Sequence, residues 1–399
     1  MAEDRGTLRA IAWQETFPGL RLFSALRLSL SFRAMILAAI AISVASAGWQ
    51  VDGWLFSNTT DARLQEQINS TQSWPWEYQV VSPPLEQFIT LEGWREQSPL
   101  LLAWRQISAP FREMYDPEKT FTQFVYLLSG SLWSLAVWAL FGGAITRLAA
   151  VTFARQENVS WKQLTRFVFP RWPAYFLGPL FPILGTFLLA AFLALAGLLL
   201  RADLGILVAG VLWPLVLFVG FLMAFLLIGL FFGWPLMWGT ISAEGTDAFG
   251  ALSHSYSYTY QRPLQYLLYA VSAALIGVLG WFLVSLFAVW ILELGNWGVS
   301  WGSEAASLRD VVARHELKTL PGAGAALIRF WNGCLSTLVV GFVFSYFWSA
   351  STVIYFLLRR LVDATELDEV FTPEERALHS LPPLKTGADG VAETVDEPA

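Results

Sequence analysis

The run LGILVAGVLWPLVLFVGFLMAFLLIGLFFGWPLMWGTISA, residues 204–243, holds 40 consecutive positions without a charged side chain. At about 1.5 Å per helical residue, about 20 residues cross a hydrocarbon core about 30 Å thick. The run does not alternate polar and apolar positions, as a transmembrane β-strand would. It therefore reads as membrane-embedded helix. Pro214, Gly220, Gly233 and Pro235 are candidate break points, because proline removes a backbone donor and glycine loosens a helix. One long crossing and two shorter ones are both open at this stage.

Five more runs lack charge: Ala34–Val51, Thr120–Thr146, Trp172–Leu200, Pro263–Leu292 and Phe330–Leu358. The first is 18 residues long and reaches spanning length by extending through Asp52 to Phe56. The expected fold is all-α, a polytopic transmembrane helix bundle of about six spans with amphipathic interfacial helices. Composition agrees. Of 399 residues 55% are hydrophobic and only 14% charged, and the mean hydropathy is +0.51. A soluble domain carries about 25% charge. The formal net charge of -6 disfavours nucleic acid as a partner, since phosphate binding needs a basic face.

Lys and Arg near span ends favour the cytoplasmic side. Arg5, Arg9, Arg21, Arg27 and Arg33 precede the first run. Arg147, Arg155, Lys162, Arg166 and Arg171 follow the second, and Arg359 and Arg360 follow the last. With six spans all three clusters share one side. A seventh span within 204–243 would put the last pair on the other, so that run is read as one crossing with both termini cytoplasmic. Trp49, Trp54, Trp234, Trp238, Trp290, Trp297, Trp301 and Trp331 fall near span ends, where amphipathic rings collect at headgroup level. Ala45-Ser46-Ala47 has the form of a signal-peptidase site, but the 33 residues ahead of the first run are long for a leader, so the first helix is expected to be retained.

The chain is expected to divide into a basic amphipathic segment (1–33), a membrane domain (34–360) and an acidic cytoplasmic tail (361–399), partly disordered beyond about residue 381. Arg21, Arg27 and Arg33 are expected to lie near anionic headgroups. The outer loop 57–119 places Leu101, Trp104, Ile107, Phe111 and Met114 on one face of a helix interrupted or kinked at Pro110. This helix is expected to lie on the outer leaflet or to cap the bundle. In the second outer loop, 293–329, residues 303–317 have helical spacing and Pro321-Gly322-Ala323-Gly324 breaks it. Thr372-Pro373-Glu374-Glu375 fits a capped helix start.

The two inner loops share a pattern: an acid (Glu157 or Glu244), a capping Ser or Thr, a leucine, then Arg beside the Pro that opens the next span. Each is expected to form a short helix lying against the bundle, and Ser160–Gln163 fits a capping box. In the second loop, Glu244-Gly245 followed by Ala251-Leu252-Ser253-His254-Ser255 resembles a segment of polytopic bacterial membrane families, the glycerophosphodiester phosphodiesterase membrane-domain and DUF4013-like groups. The resemblance covers about 12 residues closely and residues 120–360 loosely. It implies a bacterial membrane protein and supplies no catalytic residue. His254 stands where Arg or Lys is common.

No cofactor, metal or catalytic residue is expected. Cys334 is the single cysteine and sits in an apolar run. His254, His315 and His379 are far apart, and HELKT at His315 has Thr319 where a zinc helix needs histidine. Glu244, Asp247 and His254 are the nearest approach to a catalytic cluster and are read as caps and loop contacts. Ion-coupled transport normally places ionisable residues inside spans, and the uncharged runs hold none. Transport through broken helices at Gly178-Pro179, Pro182, Pro214 and Gly233-Trp234-Pro235 is the alternative. The preferred reading is a non-catalytic scaffold, assembly or lipid-interacting component, with the lipid bilayer and another membrane protein as its candidate partners. Small residues at Ala39, Ser43 and Ala47, and at Ala273, Gly277 and Gly280, suit close helix packing.

In a Cys334→Ser background, single cysteines at Ser160 and Glu366 should both react with an impermeant maleimide only from the cytoplasmic face. Labelling from opposite faces would refute the six-span reading.

Overall fold

The computed structural model describes residues 18–71, 90–116, 118–302, 320–372, 385–386 and 392–393. The described residues form eleven α-helices. A 3-10 turn at Pro18–Leu22 leads into α1 (Phe23–Ser29) and, after a break at Leu30-Ser31, into α2 (Phe32–Leu55). Then come α3 (Ala62–Thr71), α4 (Leu91–Gln97), α5 (Pro99–Glu113), α6 (Phe121–Arg155), α7 (Trp161–Gly197), α8 (Asp203–Glu244), α9 (Ala248–Gln261), α10 (Pro263–Ser300) and α11 (Leu320–Asp363). Six of them, α2, α6, α7, α8, α10 and α11, are long and apolar enough to cross a membrane. Lys385–Thr386 pairs antiparallel with Ala392–Glu393 inside the tail expected to lack structure. The expected helices at 303–317 and from Thr372 onward lie outside the described residues.

Helix α8 crosses once, unbroken from residue 203 to 244 through Pro214 and Pro235. Its companion α7 runs through Pro170, Pro173, Pro179 and Pro182. Each proline leaves the carbonyl four residues earlier without its helical donor, and in lipid no water replaces it. Two of these carbonyls receive a tryptophan. The indole N–H of Trp238 donates to Tyr175 O at 2.9 Å, the carbonyl that Pro179 cannot serve. The indole of Trp104 donates to Phe231 O at 3.2 Å, the carbonyl orphaned by Pro235. Trp234 and Trp238 are thus not headgroup anchors. They are 7% and 0% exposed, because their rings fill the core and the Trp238 N–H is spent on backbone. Trp54, Trp290, Trp297, Trp301 and Trp331 do face outward.

Helix α11 is the centre of the bundle and packs against α1, α2, α5, α6, α8, α9 and α10. Residues 341–358 are all buried. Trp348 stacks on Trp238 with ring centroids 4.1 Å apart, and Trp138 stacks on Phe344 at 4.5 Å. The sandwich closes over Gly142, where a Cβ would lie 2.4 Å from the Trp238 ring. The α7–α8 hairpin, the most apolar part of the chain, instead presents Leu188, Leu195, Leu207, Val211 and Leu217 outward.

Three expected boundaries are corrected. Helix α7 begins at Trp161, so residues 161–171 are the start of a span and not a separate short helix. The Ser160–Gln163 capping box forms, but it caps the span itself. Pro321-Gly322-Ala323-Gly324 is itself helical, so the last span starts at Leu320, ahead of the uncharged run. Pro321 sits in the first turn of α11, where a missing N–H costs nothing. Helix α5 is continuous through Pro110 and does not lie on the outer leaflet or cap the bundle. It inserts among α6, α10 and α11. Ser98, just ahead of it, donates to Ala274 O at 3.5 Å. Residue 274 is eleven residues past the start of α10, roughly 16 Å into that span. From there α5 runs back to Met114, which packs with Leu64, Ile68, Tyr126 and Leu127 in a small second core. Nearby, the Thr120 hydroxyl donates to Asp61 at 2.6 Å and holds that carboxyl below its usual range.

Trp238→Phe keeps the stack on Trp348 but orphans Tyr175 O, and should cost about 2 kcal/mol. Adding Pro179→Ala returns a backbone donor and should recover most of the loss in a detergent thermal melt. No recovery would refute this account of the prolines.

Candidate functional site

Two places concentrate chemistry. The first is a polar clasp at the end of the bundle that carries the arginine clusters. Helix α8 ends at Glu244. Gly245 follows at φ +67°, the left-handed cap that glycine adopts freely. Its Cβ position is closed by Phe371, whose N–H donates to Ala243 O at 2.7 Å. The Asp247 side chain accepts from Gly250 N–H at 2.8 Å and starts α9.

Glu244 gathers three partners. Arg359 Nε lies 3.3 Å from Oε1, His254 Nδ1 approaches Oε2 at 3.0 Å, and the Tyr355 hydroxyl donates to Oε1. Arg359 also reaches Glu369 O at 2.9 Å. Beside this group the Tyr258 hydroxyl donates to Asp363. Burial, reinforced by that carboxylate, pushes the phenol above its ordinary range, so Tyr258 stays a donor through physiological pH. Along α9, Tyr256 and Tyr260 point the other way and donate to Leu226 O and Phe225 O of α8.

A second set of cations straps the segment after α11. The buried Arg147 donates to Ser242 O at 2.7 Å and Phe371 O at 2.9 Å. Arg155 donates to Val370 O at 3.1 Å, and Arg171 to Gly245 O at 3.4 Å. The Phe167 ring lies between the Arg147 and Arg171 guanidinium groups, 3.8 and 4.2 Å from its centroid.

Of the three residues singled out from sequence, the fold joins Glu244 and His254 and assigns Asp247 to a helix cap. Tyr258, Tyr355, Arg359 and Asp363 complete the clasp and went unread, because 111 residues separate Tyr355 from Glu244. The Tyr-x-Tyr-x-Tyr spacing at 256–260 was the available signal. Ala251 and Ser255 of the same motif are buried, and the Ser255 hydroxyl donates to Gly233 O at 2.5 Å. The arginine and the phenol both engage Oε1 of Glu244, while His254 Nδ1 lies against Oε2 without a hydrogen bond. Among the described residues no group of three His, Cys, Asp or Glu side chains could hold a metal ion. The helices also overrun the uncharged runs, so that Asp52 and Arg147 lie buried within α2 and α6.

The second place is a groove of about 530 Å³ between α5 on one side and α8 and α10 on the other, floored by Phe347, Ser351 and Ile354 of α11. Leu101, Phe231, Phe232, Leu267, Val271 and Leu275 line it and are also exposed on the outer surface of the bundle. The groove therefore opens sideways. The Ser98 hydroxyl is committed to Ala274 O and the Tyr266 hydroxyl to Phe232 O at 2.6 Å. Arg95, exposed at the rim, is its one charged residue.

These features define a multi-pass membrane protein: a six-helix bundle with an inserted seventh helix, a strapped polar end and a lateral apolar groove. The chain matches no protein-family model, no curated protein and no solved structure.

Glu244→Gln leaves the partly buried Arg359 with only the exposed Glu369 carboxylate, 3.9 Å away, as counter-charge and should destabilise the bundle by about 2 kcal/mol. His254→Ala should cost under about 1 kcal/mol, since that side chain is 44% exposed. Equal losses in a thermal melt would show that the clasp is not centred on the Glu244–Arg359 pair.

Proposed function

We propose that this protein is a non-catalytic, lipid-interacting component of a bacterial cytoplasmic membrane, with both termini cytoplasmic, and that its working site is the lateral groove. The observation that carries the proposal is the insertion of α5 from the outer loop to mid-span depth. An ordinary six-helix bundle would close there. Here the inserted helix props open a slot of about 530 Å³ whose walls are hydrocarbon and whose mouth faces lipid. Such a slot suits an acyl chain, which gains contact on three sides without leaving an apolar medium.

The non-catalytic part rests on the engagement of Glu244 Oε1 by Arg359 and Tyr355 and on the use of Arg147, Arg155 and Arg171 as backbone donors. Kinship with the glycerophosphodiester phosphodiesterase membrane-domain and DUF4013-like groups is proposed on residues 244–255 alone, and it adds no activity. Transport through discontinuous helices has less support. Such carriers build their sites from unwound backbone, and α7 and α8 pass every candidate break as continuous helix. A membrane-protein partner is compatible with the lipid-facing α7–α8 hairpin.

Ala270→Trp fills the groove from α10 without touching the clasp. A phospholipid carrying a photoreactive acyl chain should label peptides 95–104 and 267–278 of the native protein, and labelling there should fall several-fold in the variant. Labelling spread evenly over α7 and α8, or unchanged by the tryptophan, would defeat the proposal.

A further inference from the structure

A second cavity lies at the arginine-rich end, where the 3-10 turn and α1 meet the ends of α6 and α11. It encloses about 750 Å³ and is lined by Arg21, Arg27, Arg360, Ser24, Glu366 and Asp368, among others. We propose that this cavity binds the phosphate headgroup of an anionic membrane lipid, with Arg21, Arg27 and Arg360 as its ligands.

Four observations converge on this. First, the three guanidinium groups come from two distant parts of the chain, residues 21–27 and residue 360, and the fold brings them to one cavity. Second, they are not consumed elsewhere. Among the described residues no carboxylate lies within ion-pair distance of any of them, although Glu366 and Asp368 share the cavity, and the Arg21 Nε is buried without a hydrogen-bond partner. The contrast with neighbouring arginines is direct. Arg33 is drawn off to Val159 O at 2.5 Å and over the Trp161 ring, while Arg147, Arg155 and Arg171 hold backbone. Third, a buried guanidinium edge without an acceptor is costly, and a phosphate oxygen is the acceptor its planar fork fits best. Fourth, Leu20, Phe23, Leu30 and Phe32 on the same segment are exposed at 41%, 52%, 49% and 67%. Apolar side chains bracketing unpaired cations mark the boundary between headgroup and acyl layer. The occupant is therefore a lipid and not a soluble phosphate.

Three cations against two acids leave the cavity with a net positive charge. That favours a lipid with a full negative charge, such as phosphatidylglycerol, over a zwitterionic one. The shape assigns a role to the break at Leu30-Ser31. It lets α1 pack along the bundle, where the Ser345 hydroxyl donates to Ser29 O at 2.9 Å and Leu26 lies against Gly280. Those contacts fix Arg21 and Arg27 relative to Arg360. The site is separate from the lateral groove and stands on different residues.

The full-length protein in mild detergent is titrated with phosphatidylglycerol and, separately, phosphatidylcholine, with bound lipid counted by native mass spectrometry. The expected result is one tightly held phosphatidylglycerol, bound roughly 100-fold more weakly by the Arg21→Gln, Arg27→Gln, Arg360→Gln triple variant, at about one cation's worth of surface attraction per arginine. Arg166→Gln, an exposed arginine of α7, should leave binding unchanged. Ala270→Trp should leave it unchanged too, which separates failure of this site from failure of the groove. A normal thermal melt for the triple variant keeps the comparison interpretable. If it melts early, Arg360→Gln alone, which spares α1, should still weaken binding several-fold. Equal retention of the two lipids, equal loss in Arg166→Gln, or displacement by millimolar glycerol phosphate would each overturn the proposal.

Discussion

A backbone carbonyl inside a bilayer has to find a donor, because no water is present to supply one. This protein places prolines in the middle of its two most apolar helices and still keeps both helical. At two of them it brings indole N–H groups from elsewhere, to the carbonyls that Pro179 and Pro235 leave open. The two tryptophans do more than satisfy backbone. Trp238 comes from α8 and ties it to α7, and its ring is the platform on which Trp348 of α11 stacks. Trp104 comes from the inserted α5 and ties it to α8. One requirement of the solvent thus links four helices and fixes where the groove can lie.

The same solvent sets the order of the bundle. In water the most apolar segment would be the most buried. Here the α7–α8 hairpin faces lipid, and the least hydrophobic of the six spans, α11, is enclosed. Ser345, Ser349, Ser351 and Thr352 lie in its buried stretch beside Trp348 and Tyr355. Apolar surface gains little by leaving lipid, so burial goes to residues that pack closely or make hydrogen bonds. Gly142 against the Trp238–Trp348 pair and Gly277 against Tyr346 show that packing at its tightest.

At the other extreme of polarity, the arginines that set the orientation from sequence have divided duties in the fold. Arg147, Arg155 and Arg171 strap the segment up to Phe371 across the end of α8, and Arg359 holds Glu244. Arg21, Arg27 and Arg360 are left facing a cavity. The acid-glycine motif becomes intelligible on the same terms. Glu244 joins three helices through α9 and α11 partners, Gly245 provides the left-handed cap against which Phe371 lies, and Ser255 ties α9 back to α8. Nothing in the spacing of these residues distinguished a structural clasp from a catalytic cluster, since the decisive partners are about a hundred positions away.

The sequence by itself determined that six stretches are lipid-embedded helix and that the 204–243 run crosses once, because the absence of charge and the placement of arginine are local quantities that the bilayer reads directly. It also located the Ser160–Gln163 capping box and the helix that carries Leu101, Trp104, Ile107 and Phe111. Only the tertiary structure decided which helix sits at the centre, that α5 enters the bundle, and that Trp234 and Trp238 face inward. Those outcomes depend on which donor reaches which orphaned carbonyl and which ring fills which gap, and such pairings join residues far apart in the chain that leave no periodic trace along it.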